Sequence, residues 1–379
     1  MTDSTTQFLT YLREIGHDID TGLTQTVLQN IVELLMDIEV SRMIDASHYE
    51  RNESRVAYRN GYRQRNLKTP LGKLRLNIPK LRKGTYSPEF ITDEMIKFLV
   101  QFIRQVYVYG VSSRTLSMWD EVEFVQSYIT QSELARLHET VDDLISSHKD
   151  SAITQEFPYL WLDTFDLHTS HHNRDSIQTA VVAVGFTADG TYELLGFEVA
   201  SSPHDLFFWR LFLSNLVKRG LTDVQLVVSD AFKGVKMAVA DLLDTDWYYS
   251  RAHALRRVLD DVPDVEQQAV TDAIAKVFVQ PDYRLAKAQM TQTINTFHSY
   301  YPSAMMTLGA LSGDLLTQNQ QIPMFVLALS ESLLRIKQAI ANHVDAIATS
   351  PIDVPMMQDT LAQGMGVNIR YENHFTVYG

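Results

Sequence analysis

The chain has 379 residues, a net charge of −13, a hydrophobic content of 45% and no cysteine. Disulfides and thiolate metal sites are therefore excluded, and no apolar run reaches the ~20 residues of a membrane-spanning helix. The length predicts roughly two to four domains. The first residues do not resemble a signal peptide, so a cytoplasmic protein without a membrane partner is expected. The acidic balance argues against a generic nucleic-acid binder.

The first predicted element is helical and covers residues 7–47. Leu23, Val27, Ile31 and Leu34 recur at spacings of three and four residues, which is typical of an amphipathic helix. Such a stripe belongs to a core or to a helical dimer contact and carries no chemistry of its own.

A basic segment follows, with eleven Lys or Arg and one acidic residue between Arg51 and Lys83. Arg and Tyr alternate around the Asn-Gly pair at 60–61, which predicts a turn. Residues 71–79 alternate apolar and polar as a half-buried strand does. The charge indicates either a polyanion contact or a solvated hairpin face. The candidate contacts to DNA phosphates are Arg55, Arg59, Arg63, Arg65, Lys68, Lys73, Arg75, Lys80, Arg82 and Lys83.

Residues 93–148 return to a helical pattern. One helix is predicted to stop at Gly110, and a Ser N-cap then opens a second helix that carries Arg114, a further candidate DNA contact. The stretch that begins at Thr130 has the S/T-x-x-E form of a capping box. Short helices with tight turns fit a helix-turn-helix and equally fit a small helical bundle, and the residues alone favour the bundle.

Residues 157–250 alternate strands and helices. Strand patterns at 159–163, 177–186 and 192–200 precede a helix at 207–219, a strand at 224–229, a helix at 234–243 and a strand at 247–249. Three antiparallel strands followed by helix, strand, helix and strand are the order of a ribonuclease-H-like fold.

Two of these strands are predicted to end in an aspartate, in Tyr159-Leu-Trp-Leu-Asp163 and in Val227-Val-Ser-Asp230. The end of a buried strand would place a carboxylate at the rim of the sheet, where active sites of open α/β sheets lie. Carboxylates on neighbouring strands can hold two divalent metals ~4 Å apart for phosphoryl transfer. A single strand-end Asp is more often a cap or turn residue, so the pair carries the prediction.

Three histidines, His168, His171 and His172, lie near Asp166. They could serve as ligands of a transition metal, but a polar hairpin between two strands is the favoured interpretation. Residues 253–347 are predicted to be helical with a break near Pro302, and residues 348–379 are predicted to be irregular.

Several motifs resemble, in the same order, the mutator-type transposases of bacterial insertion sequences. The resemblance runs from about residue 20 to 345, and its markers include Tyr58-Arg-Asn-Gly-Tyr-Arg63, Leu76-Asn-Ile-Pro-Lys-Leu-Arg82, Tyr109-Gly-Val-Ser-Ser-Arg114, Tyr159-Leu-Trp-Leu-Asp163 and Val228-Ser-Asp230. Any one of these motifs is weak evidence, but their common order is specific.

The resemblance implies a ribonuclease-H-like catalytic domain with an acidic triad that holds two Mg²⁺ (or Mn²⁺) ions. Asp163 and Asp230 match the first two members of the triad, and Glu331 is the best-placed third member, on a helix after the insertion. His253 matches a family histidine and is a further catalytic candidate, which could contact a DNA phosphate or polarise a water, and a structural role fits it equally well. The implied partner is double-stranded DNA, as element terminal repeats and as target, and a homodimer is the default because two ends must be brought together.

The chain also departs from the family pattern. Ala328-Leu-Ser-Glu331 replaces Asn-Pro-Ile-Glu, Ser250 replaces a cysteine, and Phe232 replaces a histidine. The acidic net charge is a further departure. These differences predict a divergent transposase and leave two alternatives open, a transposase-derived DNA-binding protein with decayed catalysis and a ribonuclease-H-like nuclease without strand transfer.

The expected fold class is an α/β core with a ribonuclease-H-like mixed sheet, interrupted by an all-helical insertion and preceded by mainly helical DNA-binding regions with a basic hairpin. The predicted regions are 1–92 (helical with the basic hairpin), 93–150 (helix-turn-helix-like), 151–252 (core), 253–322 (insertion), 323–347 (helix of Glu331) and 348–379 (tail).

Overall fold

The computed structural model describes residues 4–15, 17, 22–47, 50, 53–69, 71–171, 174–200, 204–232, 234–316, 326 and 328. Glu331 and the predicted tail at 348–379 lie outside these residues. The chain divides into two compact units. Unit 1 comprises Met1–Gly16, Glu156–Ser214 and Thr222–Gly379, and unit 2 comprises His17–Gln155 and Asn215–Leu221. The predicted region 1–92 is therefore shared between the two units.

Unit 2 combines helices with a two-stranded hairpin. Alternate residues of the second strand, Leu74, Leu76 and Ile78, are buried, and this strand packs on the long helix that precedes the hairpin. The half-buried strand predicted at 71–79 is thereby confirmed. The described elements are α2 (Leu23–Met43), β1 (Arg59–Thr69), β2 (Gly72–Leu81), α3 (Asp93–Tyr109), α4 (Ser113–Ser117), a 3₁₀ turn (Met118–Glu121), α5 (Glu123–Tyr128) and α6 (Gln131–Lys149).

The turn of the hairpin differs from the prediction. Strand β1 continues through the Asn-Gly pair at 60–61, and the chain reverses where Thr69 pairs with Gly72. The register shifts between Arg59 and Tyr62, and Gly61 has a φ of 76°. This is a bulge, and a bulge uses the same positive-φ glycine as a tight turn does. The Asn-Gly pair thus indicated the conformation of Gly61 but the wrong place for the turn.

The single helical element predicted at 7–47 is two helices, α1 (Ser4–Glu14) in unit 1 and α2 in unit 2, whereas the helix boundaries predicted between 93 and 148 are confirmed. Helix α3 ends at Tyr109 with Gly110 as its C-cap, and Ser112 caps α4. Thr130 and Glu133 form both hydrogen bonds of a capping box at the start of α6. Helices α2, α3 and α6 contact one another, so they form the small bundle that the residues favoured.

A histidine is buried in the core of this bundle. His138 on α6 is 3% exposed, and among the described residues neither ring nitrogen has a hydrogen-bond partner. Its ring packs 5.6 Å from Phe102 and 6.0 Å from Trp119 between centroids. Burial lowers the pKa of His138 to about 4 from its usual 6.5.

We expect unit 2 to lose on the order of 2 kcal/mol of stability as the pH falls from 6.5 towards 4. The unfolded chain takes up a proton in this window, whereas folded His138 resists protonation until the lower value. Urea unfolding at pH 7.5 and at pH 5 measures the loss. His138→Phe should lose less stability on acidification than the wild type, and the exposed control His298→Gln should match the wild type. An equal loss in His138→Phe would contradict the assignment.

Unit 1 is built around a mixed five-stranded sheet. Its strand order is β5-β4-β3-β6-β7, in which β3, β4 and β5 pair antiparallel while β6 and β7 run parallel to β3. The described elements are α1 (Ser4–Glu14), β3 (Tyr159–His171), β4 (Arg174–Phe186), β5 (Tyr192–Ala200), α7 (Leu206–Arg219), β6 (Leu226–Ser229), α8 (Val235–Leu243), β7 (Asp246–Tyr249), α9 (Arg251–Leu259), α10 (Asp264–Phe278), α11 (Tyr283–Phe297) and α12 (Pro302–Leu316). Helix α7 begins in unit 1 and ends in residues assigned to unit 2.

The helical prediction for 253–347 is confirmed as far as residue 316, including the break before Pro302. A loop was also predicted near residues 313–323, but α12 continues through Gly313 to Leu316. Helices α9 to α12 share a buried cluster that includes Val258, Val270, Met290 and Leu308. Helix α1 packs separately, on β3, where the ring of Phe8 lies 5.5 Å from that of Phe165. Every helix in the described part of the chain is too short or too polar to cross a membrane.

Candidate active site

Asp163 lies inside strand β3, and the prediction that the strand ends there is wrong. β3 continues to His171 because each of its residues pairs with one of β4 as far as Arg174. What ends at this level is the parallel neighbour β6, whose last pair with β3 joins Leu162 and Ser229. Asp163 follows Leu162 of this last pair, and Asp230 follows Ser229. The structure therefore places both residues at the carboxyl end of β6, on adjacent chain segments as the sequence predicted.

The Asp163 carboxylate is fully buried and is held on both oxygens. The Tyr11 hydroxyl donates a 2.7 Å hydrogen bond to Oδ2, and His253 Nε2 lies 3.1 Å from Oδ1. Burial, the neighbouring charge of Asp163 and this hydrogen bond raise the pKa of Tyr11 well above its usual 10. Tyr11 therefore stays a neutral donor at physiological pH.

His253 is placed by the start of helix α9. Ser250 caps this helix, and its hydroxyl oxygen lies 2.8 Å from His253 Nδ1. When Ser250 donates to Nδ1, the ring proton lies on Nε2, where it is donated to Asp163. His253 is 7% exposed, so in this arrangement it orients Asp163.

Asp230 has a more open environment. Its side chain is 21% exposed, and Oδ1 lies 3.9 Å from Nη1 of Arg257. The same oxygen accepts a 2.7 Å hydrogen bond from the backbone N–H of Ala231. Burial, followed by the charge of Asp230, raises the pKa of Tyr249 to about 12. Since the side chain of Asp230 is partly exposed and that of Asp163 is not, solvent reaches Asp230 but not Asp163.

The remaining predicted metal ligands lie partly outside the described residues. Glu331 lies outside the described residues, as does His172. His168 and Asp166 are exposed on β3, and β3 and β4 run as paired strands up to residues 171 and 174, which fits the polar hairpin interpretation. Within the described ranges, no group of three or more His, Asp or Glu is placed to hold a metal.

The predicted DNA contacts lie mainly on the β1–β2 hairpin and just after it. Arg59 is anchored inside unit 2, because it donates to Asp37 Oδ1 at 3.1 Å and to Ser41 Oγ at 2.7 Å. Arg55 is partly buried. Arg114 lies on α4, and only its backbone is described. The exposed members of the set are Arg63, Arg65, Lys68, Lys73, Arg75, Lys80, Arg82 and Lys83.

Comparison with known proteins settles the family. The family described as "Transposase, Mutator family" matches residues 1–323. The chain belongs to this family. Among its relatives, the transposase for insertion sequence element IS256 in transposon Tn4001 of Staphylococcus aureus is 28% identical over 287 residues, covering 75% of this chain and 73% of that protein. The transposase for IS1081 of Mycobacterium tuberculosis is 27% identical over 299 residues, covering 78% and 72%.

Membership of the Mutator family confirms the resemblance that the motifs carried. At 27–28% identity to these relatives, this is a divergent member. Asp163, Asp230 and His253 were predicted from the sequence as candidates, but their neighbours Tyr11, Tyr249 and Arg257 were not. Tyr11 lies 152 positions before Asp163, on an ordinary amphipathic helix, and it carries no local signal. Arg257 lies four residues after His253 on α9, so the helical spacing alone could have indicated it.

Proposed function

We propose that the chain is the transposase of a bacterial insertion sequence, which binds the ends of its element and cuts and joins DNA strands. The observation that carries the proposal is the pair Asp163 and Asp230 in a Mutator-family chain, each one residue beyond the last pair of the parallel strands β3 and β6. The sheet order supports a ribonuclease-H-like core, because three antiparallel strands are followed by two strands parallel to the first.

The donor chemistry of this pair fits Mg²⁺ or Mn²⁺, which prefer hard oxygen ligands. Asp163 and Asp230 would hold the ions, with Glu331 as the proposed third carboxylate. When bound, two such ions supply the activation of the attacking oxygen and the stabilisation of the leaving oxygen in phosphoryl transfer. His253 would fix the orientation of Asp163, and Arg257 would place a positive charge beside Asp230 and the DNA phosphate.

The hairpin of unit 2 supplies the proposed DNA contact. Lys68 and Lys73 face each other directly across the two strands, and both are exposed. Like charges in this position cost stability, and a polyanion would remove that cost. Arg65 lies on the same hairpin, whose buried side rests on α2. The proposed partner is double-stranded DNA, as the terminal repeats of the element and as the target, and a homodimer would hold two ends.

The test is cleavage of a labelled duplex that carries the terminal repeats flanking the gene. We expect strand cleavage and joining with Mg²⁺ or Mn²⁺, none with EDTA, and none on an unrelated duplex of equal length. A folded protein that shifts the terminal-repeat duplex but never cuts it would favour the alternative, a transposase-derived DNA-binding protein with decayed catalysis. Cleavage without joining would favour a nuclease.

A further inference from the structure

The first helix of unit 1 closes over Asp163. Phe8 and Tyr11 of α1 are fully buried, and the helix packs on β3. The ring of Tyr11 lies 5.3 Å from that of Phe165, two residues beyond the carboxylate. With Asp163 itself at 0% exposure, no solvent reaches its side chain in this arrangement.

We propose that α1 is a gate on the active site and that the Tyr11 hydroxyl keeps the gate closed, a proposal that rests on the proposed function of Asp163. Oδ2 of Asp163 accepts the Tyr11 O–H at 2.7 Å, and Oδ1 faces His253 Nε2 at 3.1 Å. A hydrogen-bond donor and a cation compete for the same lone pairs of a carboxylate. Because the Asp163 side chain is also at 0% exposure, a cation and its remaining ligands have room beside it only after one of these two donors withdraws.

His253 is the less mobile of the two donors. Its helix follows β7 directly, and Ser250, which caps the helix, donates its backbone N–H to Ser229 O of β6 at 2.7 Å. Val258 of the same helix is buried in the cluster shared with α10 to α12. Moving His253 would disturb both the sheet edge and that cluster.

Helix α1 can withdraw without disturbing the sheet, although its release would expose the buried side chains of Phe8, Tyr11 and Leu12. It has 11 residues, a length at which an isolated helix is marginal and depends on its packing. The packing of Phe8 consists of ring contacts that include Phe165 at 5.5 Å and Phe197 at 5.3 Å between centroids. Releasing α1 would break these contacts and the Tyr11 hydrogen bond but would leave the pairing of β3 with β4 and β6 intact. Short elements held by side chains open locally more readily than central strands do.

The first test compares Mn²⁺ affinity in the full chain, read from the electron paramagnetic resonance signal of the free ion. Tyr11→Phe keeps the ring and removes the O–H. We expect it to bind Mn²⁺ about tenfold more tightly than the wild type, since the cation no longer competes with a hydrogen bond to a charged acceptor. The matched control is Tyr107→Phe, which removes the hydroxyl of a buried tyrosine of unit 2 that contacts His17. Its Mn²⁺ affinity should equal that of the wild type.

The second measurement needs no variant. Hydrogen exchange of the wild-type chain with and without saturating Mn²⁺ reports whether α1 leaves the sheet. We expect the amides of α1 to exchange several-fold faster with Mn²⁺ bound, while those of α12 stay unchanged. A purely structural role for Tyr11 predicts a lower melting temperature for Tyr11→Phe with no gain in metal affinity.

These two measurements distinguish a failure of the proposed gate from a failure of the proposed function of Asp163. The gate is overturned if Tyr11→Phe and the wild type bind Mn²⁺ equally, or if α1 amides exchange at the same rate with the ion bound. The proposed function still stands in that case, provided that Asp230→Asn weakens Mn²⁺ binding. The proposed function and the gate are both contradicted if Asp230→Asn leaves Mn²⁺ binding unchanged in the wild type and in Tyr11→Phe. They are also both contradicted if neither of these two chains binds Mn²⁺.

Discussion

Asp230→Asn is expected to reduce strand cleavage by roughly 10³-fold while the chain stays folded. The substitution keeps the shape of the side chain and removes the negative charge that would hold a divalent ion. The Asp230 side chain is partly exposed, and its Oδ1 lies 3.9 Å from Nη1 of Arg257, which is 53% exposed. Neutralising Asp230 therefore leaves no buried charge without a partner. Cleavage rates at saturating Mg²⁺, together with thermal unfolding, measure both halves of the expectation.

The matched control for this variant is Asp246→Asn. Asp246 begins β7 in the same sheet, pairs with Leu226 of β6 and is exposed, so the change in net charge is the same. It should cleave like the wild type. Asp163→Asn should reduce cleavage to a similar extent, but it also alters a buried carboxylate with two hydrogen-bond partners. Asp230→Asn is therefore the cleaner test. Wild-type cleavage by Asp230→Asn would remove this residue from the site.

The parts of the fold that the sequence predicted well are those governed by local rules. The capping box of Thr130 and the stop at Gly110 depend on neighbouring residues, and both are present. The alignment of Asp163 with Asp230 followed from strand order, which in turn followed from the alternation of strands and helices. The continuation of β3 beyond Asp163 was missed, although Phe165, Asp166 and Leu167 alternate apolar and polar as a strand does.

The closed state of Asp163 could not be predicted from the sequence. It depends on a contact between Tyr11 and a residue 152 positions away, and the pattern of α1 is that of any amphipathic helix. The bulge at Gly61 was missed for a different reason. An Asn-Gly pair serves a turn and a bulge equally well, and pairing with β2 decides between them.

The triple variant Arg65→Ala, Lys68→Ala and Lys73→Ala is expected to weaken DNA binding about 100-fold near physiological salt and to lower the salt slope by about 2–3. Each exposed cation that contacts a phosphate releases counterions from the DNA, so both quantities fall together. Stability should stay equal or rise, since Lys68 and Lys73 face each other and their repulsion is removed.

The control for the hairpin variant changes the same net charge elsewhere. Lys276, Arg284 and Lys287 are exposed on α10 and α11 of unit 1, and their combined change to alanine should leave affinity and salt slope near the wild-type values. Fluorescence anisotropy with a terminal-repeat duplex at several salt concentrations reads both. Equal losses in the two triple variants would mean that overall charge drives binding, and the hairpin would then lose its assigned role. A loss confined to the hairpin variant, with cleavage chemistry intact at saturating protein, would assign DNA capture to unit 2 and strand transfer to the carboxylates of unit 1.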